Sequence, residues 1–424
     1  MKTSGNLLFA GLALALATSC MDTHTLEADM NVPVYLDYET MRAPLATSQA
    51  RELKNPGKIC FKDNYLFIVE AKEGIHVIDV SNPASPRNIT FIESPGCNDI
   101  AIRNQSLYTE HYVDLVVFDV SDVNSVKQTA RLENIFPYSI PPIKDPALAY
   151  DYIDAQKGIV VDWEVKRVKR EKLQVNYGGG GYYETSPPAQ SAPDKDFSVG
   201  EGSSSGKTGS MARFGIYKNY LYLMSDFQLK VLDLDASKAN IIVSDHIGGY
   251  ETMFIHDGHI FFGAPNGMFI YSLEVPARPI YVSGYSHLTS CDPVVVQDSV
   301  AYVTMRGGTT CRGTINQLDV VQLSDNYRKT ELLASYPMFN PYGLGVDGNT
   351  LFVCDGDEGL KVYDVADKKN ISLNMLAQFR NINAYDVIPA GNFLFMIGSD
   401  GFYLYDYKDP KDIKLMGKIP VVKD

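Results

Sequence analysis

Short runs of alternating apolar and polar residues occupy the chain from about residue 55 to residue 421, and one run recurs seven times. Each copy has apolar residues at its first, third and fourth positions and a variable residue at its second. The fifth position is aspartate in five copies. Such runs are typical of β-strands. The copies are IHVIDV (75–80), LVVFDV (115–120), LKVLDL (229–234), MFIYSL (268–273), LDVVQL (318–323), LKVYDV (360–365) and FYLYDY (402–407).

The spacing of the copies indicates a structural unit of about 40 residues. Successive fifth positions are 40, 114, 39, 50, 42 and 42 residues apart. The longest gap equals one period plus an insertion of about 74 residues. Other short β-rich runs, such as NYLFIVE (64–70) and RNITFIE (87–93), flank the copies, and turn residues separate them. Each unit therefore predicts four short antiparallel strands.

Seven such units predict an all-β fold, a seven-bladed β-propeller of four-stranded antiparallel blades over residues 55–421. A single blade cannot bury both of its faces, whereas blades packed around a common axis can. A β-sandwich or a β-solenoid is the alternative fold for the same strand pattern.

Two copies, LVVFD (115–119) and IHVID (75–79), resemble the repeat of the LVIVD-repeat β-propeller lipoproteins of bacterial cell envelopes. The resemblance extends over about 55–421, because the seven copies are in register. It implies the propeller fold and an envelope location. It implies no particular reaction and no catalytic residue. A binding or scaffolding module is therefore the function that we expect.

The N-terminus predicts export. Residues 1–19 have the pattern of a signal peptide, and the apolar segment Leu7–Ala17 is too short to span a bilayer. Small residues precede Cys20 as in a bacterial lipobox, which predicts a lipid anchor at Cys20 on the outer membrane, in the periplasm or at the surface. An ordinary secretory signal is the alternative. Residues 20–54 would form a tether or a closing strand.

The charge of the chain limits the classes of partner. It has 38 basic and 51 acidic residues, a formal net charge of −13. Binding to nucleic acid or to an anionic membrane surface requires basic patches. We therefore expect a protein or glycan partner, no nucleic acid, and membrane attachment through the lipid alone.

The insertion, at about 136–210, divides into two parts. The stretch 158–173 is rich in β-formers, and we expect it to form a long hairpin that carries Trp163. A Gly/Ser-rich stretch follows, which is typical of a flexible loop. Within it, 202–206 matches GxSxG and 206–208 matches the end of a P-loop. Neither has the flanking strand and helix that those motifs require, so we reject both interpretations.

Propeller geometry predicts where a ligand would bind. The start of the first strand and the loop between the second and third strands of every blade should meet on one face, near the axis. These predicted rim residues are acidic, with tyrosines and one arginine. They are Glu70, Asn98, Asp99, Glu110, His111, Asp226, Glu251, Asp292, Arg306, Tyr342, Asp355, Asp357, Tyr385, Asp386 and Asp400.

Several functions are compatible with this rim. One interpretation is a site for a divalent cation or for a hydroxyl-rich glycan stacked on Tyr342 or Tyr385; the alternative is a set of strand ends and turn caps. We expect no cofactor. A calcium ion is the one weakly supported exception, with Asp355, Asp357 and Glu358 as weak candidate ligands. A glycan hydrolase or lyase that uses rim carboxylates is the alternative function. No spacing in the sequence selects a catalytic pair.

His76 stands at the variable second position of its copy, three residues before Asp79. The other copies carry Val116, Lys230, Phe269, Asp319, Lys361 and Tyr403 at this position. We therefore interpret His76 as a strand residue on a permissive face, without a catalytic role.

Cys291 and Cys311 should lie on the same face of blade 5, so a disulfide between them is geometrically feasible. It would close the longest loop between a second and a third strand. Mass mapping after iodoacetamide treatment without reductant should leave both residues unlabelled. Free labelling of both thiols would exclude the bond.

Overall fold

A computed structural model of the protein describes residues 26–170, 205–225, 227–235, 240–287, 293–308 and 313–423. The signal peptide, Cys20 and the Cys291–Cys311 pair lie outside the described residues. Contacts divide the chain into two compact units, residues 42–139 with 182–424 and residues 1–41 with 140–181. No helix in the described part is long and apolar enough to cross a bilayer.

The first unit is a seven-bladed propeller of four-stranded antiparallel sheets, which confirms the predicted fold. The strands follow one another from the axis outwards in every blade. Blade 1 comprises Pro56–Lys62, Tyr65–Glu70, Gly74–Asp79 and Arg87–Glu93; blade 2 Ile100–Arg103, Ser106–His111, Asp114–Asp119 and Lys127–Leu132; blade 3 Phe214–Tyr217, Tyr220–Ser225, Gln228–Asp233 and Asn240–His246; blade 4 Thr252–His256, His259–Ala264, Gly267–Ser272 and Ile280–Ser286.

The remaining three blades have the same order, and blade 6 has a short 3-10 helix, Ile371–Leu373, before its fourth strand. Blade 5 comprises Val294–Gln297, Val300–Met305, Gln317–Ser324 and Lys329–Pro337; blade 6 Leu344–Asp347, Thr350–Cys354, Leu360–Asp364 and Met375–Phe379; blade 7 Ala384–Ala390, Phe393–Gly398, Gly401–Asp406 and Lys414–Pro420.

The repeated run forms the third strand of every blade, and its aspartate closes the turn that follows. Asp79 Oδ1 accepts a hydrogen bond from the amide of Ser81 at 3.0 Å. The Ser272 hydroxyl takes the same role in blade 4, where it accepts from the amide of Glu274 at 3.2 Å. An Asx turn of this kind satisfies a backbone donor at the strand end, which accounts for the recurrence of the aspartate.

The apolar positions pack between blades. Among the described residues, buried apolar side chains form seven clusters, each shared by two successive blades. First strands contact those of the neighbouring blades, and the first strand of blade 7 contacts that of blade 1. At this closing interface the rings of Phe61 and Phe395 stack with centroids 4.4 Å apart. Leu53 also bridges to Val421, so the ring closes without a shared strand.

Two short segments add to blade 1. Thr47–Gln49 pairs with the outermost strand, and Lys207–Thr208 pairs with the innermost one. The second segment lies in the central channel, where Ser205–Thr208 and Ser210 line a cavity of about 300 Å³ together with the first strands. The end of the Gly/Ser-rich stretch therefore contributes to the channel wall. No helix follows Thr208, in agreement with the rejection of the P-loop interpretation.

The second unit contains a two-stranded antiparallel ribbon, Leu26–Leu36 with Ile159–Arg170, a helical turn, Tyr38–Met41, and a 3-10 helix, Ala155–Lys157. The predicted hairpin is wrong, because 159–170 pairs with a segment more than a hundred residues away. Charge favours this register, since Lys169 Nζ lies 3.1 Å from Glu27 Oε1 across the ribbon.

Buried carboxylates at the end of a second strand hold the segment that enters a blade. Each accepts two backbone amides from the residues just before the first strand: Glu70 from Lys54 and Asn55, Glu110 from Asn98 and Asp99, and Asp355 from Phe339 and Asn340. In blades 1 and 6 the variable third-strand residue completes the arrangement. His76 Nε2 lies 2.9 Å from Glu70 Oε2, and Lys361 pairs with Asp355.

The expectation that His76 occupies a permissive face is therefore wrong. His76 is fully buried, and its partner is Glu70 rather than Asp79. The position tolerates many residue types because each copy matches a different local partner, such as the Tyr285 hydroxyl that donates to Asp319.

Asp355→Asn should lower the midpoint of thermal unfolding by several degrees. The change leaves the Lys361 ammonium without its buried counter-charge, which costs about 3 kcal/mol. Asp357→Asn is the control, because Asp357 is exposed and lies two residues away. Equal midpoints for the two variants would contradict the structural role of Asp355.

Candidate functional site

A cavity of about 590 Å³ opens on the face where the first strands begin and the second strands end. Residues of blades 1, 2, 3, 6 and 7 line it. The lining combines charge with tyrosine, as expected for a pocket that recognises a polar ligand. The charged and tyrosine residues of the lining are Lys58, Glu110, Tyr112, Arg213, Tyr342, Tyr385 and Asp386.

Asp386 stands at the start of the innermost strand of blade 7 and is 2% exposed. Its Oδ1 accepts hydrogen bonds from the amide of Val387 at 3.0 Å and from the amide and hydroxyl of Ser210, each at 3.2 Å. Its Oδ2 is buried and has no hydrogen-bond partner within the described residues. Burial raises the pKa of this carboxyl to about 6. Asp386 therefore keeps one buried oxygen without a partner among the described residues, and this oxygen becomes a donor in mildly acidic conditions.

Two glycines permit this position of the carboxylate. A Cβ atom on Gly209 would lie 1.9 Å from Asp386 Oδ2, and one on Gly343 would lie 2.2 Å from Oδ1. Both distances are far shorter than any non-bonded contact, so a side chain at either position would displace Asp386.

Lys58 brings a cation to the same cavity from the innermost strand of blade 1. Its side chain is 21% exposed, and Nζ lies 3.8 Å from Asp99 Oδ2, beyond hydrogen-bond distance. Burial lowers the pKa of Lys58, and Asp99 opposes that effect. The ammonium thus has an ion-pair neighbour and donors that remain available to a ligand.

Glu110 and Arg213, by contrast, form an ion pair with each other. Arg213 donates to Glu110 Oε1 at 2.9 Å, while Oε2 accepts the two amides already described. Burial raises the pKa of Glu110, and the charge of Arg213 opposes that effect. This pair joins blades 2 and 3 and leaves no carboxylate oxygen of Glu110 open.

A pair of tilted tyrosine rings lines one side of the cavity. The rings of Tyr385 and Tyr342 have centroids 5.4 Å apart, and the guanidinium carbon of Arg306 lies 4.1 Å from the ring centroid of Tyr342. Burial raises the pKa of Tyr385, so its hydroxyl stays protonated at neutral pH and can donate a hydrogen bond.

The predicted rim residues lie in several different environments. Five of them line the cavity: Asn98, Glu110, Tyr342, Tyr385 and Asp386. Three more are buried and accept hydrogen bonds from backbone amides: Glu70, Asp99 and Asp355. His111 is buried and Glu251 is half-buried. Asp357 accepts a hydrogen bond from Asn383, and Asp400 accepts one from Tyr403. Asp226 and Asp292 lie outside the described residues.

Sequence reasoning missed Lys58 and Arg213. Both stand at the start of a first strand, so the rule that selected the rim also covers them. The acidic and aromatic residues that dominate the rim sequence gave no indication of these two cations.

The weak calcium candidates have separate partners. Asp355 pairs with Lys361, Asp357 accepts from Asn383, and Glu358 Oε2 lies 3.1 Å from an Arg380 nitrogen. Among the described residues, no group of three or more His, Cys, Asp and Glu side chains is arranged to hold a metal ion.

Comparison with known proteins identifies the repeat. Residues 57–90, which form most of blade 1, match the LVIVD repeat. The chain carries an LVIVD repeat. No curated protein sequence matches the chain.

Solved structures resemble the LVIVD-repeat propeller in fold. The periplasmic gluconolactonase PpgL of Pseudomonas aeruginosa has a TM-score of 0.50 at 10% identity, covering 90% of this chain and 98% of that one. Hsv2 of Kluyveromyces lactis has a TM-score of 0.48 at 11% identity, covering 86% and 99%. PorZ, a surface component of the type-IX secretion system of Porphyromonas gingivalis, has a TM-score of 0.46 at 14% identity, covering 89% and 40%. Identities this low concern the fold alone.

Asp386 should make stability depend on pH. A folded-state pKa of about 6, above the unfolded value of 3.8, means that the folded protein gains stability as pH falls through 6. Between pH 7.5 and pH 4.5 the unfolding free energy of the native protein should rise by about 2 kcal/mol relative to that of Asp386→Asn. Urea denaturation at the two pH values measures this difference. A difference that does not change with pH would show that Asp386 is ionised normally.

Proposed function

We propose that this protein is a binding module of the bacterial cell envelope that holds a hydroxyl-rich ligand, a sugar unit of a glycan, in the cavity. The observation that carries the proposal is the combination of Tyr342 and Tyr385 with the unpartnered Asp386 carboxylate and the Lys58 ammonium in one cavity lining. Tyrosine rings offer an apolar face to the C–H groups of a sugar. The two charged groups offer an acceptor and donors to its hydroxyls.

The dimensions of the cavity support a small ligand. Its volume of about 590 Å³ lies within the range of 300–1,000 Å³ that is ordinary for small-molecule sites. One or two sugar units would fill it. Because the cavity opens on the loop face, a longer glycan would extend outwards from it.

The envelope location rests on the N-terminal sequence. The signal pattern of residues 1–19 and the cysteine at position 20 support export and lipidation. A lipidated Cys20 would hold the propeller at the membrane, since each buried CH₂ of an acyl chain contributes about 0.8 kcal/mol.

The second candidate function is hydrolysis or cleavage of a glycan. It is favoured by the raised pKa of Asp386, because a carboxyl that keeps its proton near neutral pH can act as a general acid. A glycosidase of the usual type needs a second available carboxylate. Glu110 is the other carboxylate in the lining, and both of its oxygens have partners. This arrangement supports binding over catalysis.

Isothermal titration calorimetry against a panel of mono- and disaccharides should detect binding. Tyr385→Ala and Asp386→Asn should each weaken it about tenfold or more, because each removes a contact within the cavity. Tyr281→Ala is the control, since Tyr281 is 54% exposed on the outermost strand of blade 4. Circular dichroism should show all three variants folded. Unchanged affinity in both cavity variants would rule out the cavity as the site.

A further inference from the structure

The charges that remain available around the cavity are mostly cationic, although the sequence of the rim is acidic. Glu70, Glu110 and Asp355 accept backbone amides and pair with His76, Arg213 and Lys361. Asp400 pairs with Lys418 at 2.9 Å. A carboxylate paired with a cation contributes little net electrostatic potential. The potential that a ligand experiences in the cavity is therefore less negative than the acidic composition of the rim suggests.

Arg306 is the clearest of these cations. It follows Val300–Met305, the second strand of blade 5, and it is half-buried. No ion pair or hydrogen bond involves its guanidinium within the part of the chain that the structure describes. Its contact is the stack on Tyr342 at 4.1 Å. Stacking holds a guanidinium flat and leaves its N–H edge free, which is the geometry that receives a carboxylate through two parallel hydrogen bonds.

The position of Arg306 relates it to the cavity. Tyr342 lines the cavity, and Arg306 lies on its ring, so the cation is one ring away from the proposed sugar position. Lys58, on blade 1, adds a second available cation in the lining. We infer that the bound sugar is acidic, a uronic acid unit whose carboxylate pairs with Arg306 while its hydroxyls contact Asp386 and Lys58. This inference rests on the proposed function.

Three carboxylates near the site oppose an anionic ligand. Asp357 accepts from Asn383, Asp400 pairs with Lys418, and Oδ1 of Asp386 accepts from Ser210 and from the amide of Val387. The net charge of −13 acts at longer range and is screened at physiological ionic strength, where the Debye length is about 8 Å. A direct pair with Arg306 is much shorter than that distance.

The test compares sugars that differ only in the acidic group. Glucuronic and galacturonic acid should bind about tenfold or more tightly than glucose and galactose in calorimetry at pH 7.5, because hydrogen bonds to charged groups are stronger than neutral ones. Arg306→Gln should remove this preference, so that acidic and neutral sugars bind it equally. Arg306→Lys should retain only part of it, because an ammonium lacks the planar fork.

Arg380→Gln is the matched control, since Arg380 is 62% exposed and pairs with Glu358 in blade 6. It should leave the preference intact. Equal binding of acidic and neutral sugars, or a preference that persists in Arg306→Gln, would overturn this inference while the proposed function stands. Absence of binding by all four sugars would overturn both.

Discussion

The contact between blade 7 and blade 1 is the interaction on which the rest of this propeller depends. Seven sheets enclose an axis only if the last packs against the first, and here the join is made by apolar packing around Phe61 and Phe395. The backbone adds a bridge between Leu53 and Val421 and a hydrogen bond from the amide of Val422 to the carbonyl of Leu53. Because no strand is shared, side-chain packing carries most of the closure. Asp386 and Lys58 belong to the two blades that meet here, so the geometry of the cavity depends on the same join.

Much of the fold could be predicted because its determinants are local and repeated. An apolar third strand and an Asx turn need only six to eight consecutive residues, and seven copies in register exclude coincidence. The rim face could be predicted as well, since every blade brings the same two strand ends to it. Tyr342, Tyr385 and Asp386 were found in this way and do line one cavity.

The chemical state of the rim could not be predicted, because it depends on partners from distant parts of the chain. Glu110 and Asp386 are both carboxylates at strand ends in the sequence. The two oxygens of Glu110 accept hydrogen bonds from Arg213, which is 103 residues away, and from two backbone amides. One oxygen of Asp386, by contrast, has no partner among the described residues. The ribbon of 26–36 with 159–170 was missed for the same reason. Periodicity identifies a strand, and it does not identify the partner of an isolated strand.

Asp386 is a buried carboxylate at a position where a neutral amide side chain would destabilise the fold less. Burying an ionisable group without a full set of partners destabilises the fold, and local rules of this kind are usually broken at functional sites. The Ser210 hydroxyl donates to Asp386 and accepts from the amide of Leu344 at 2.9 Å. Ser210, in the channel segment, thus joins blade 7 to blade 6. The second oxygen of Asp386 is buried and has no hydrogen-bond partner among the described residues, and this departure from the usual rule is what supports Asp386 as part of the proposed site.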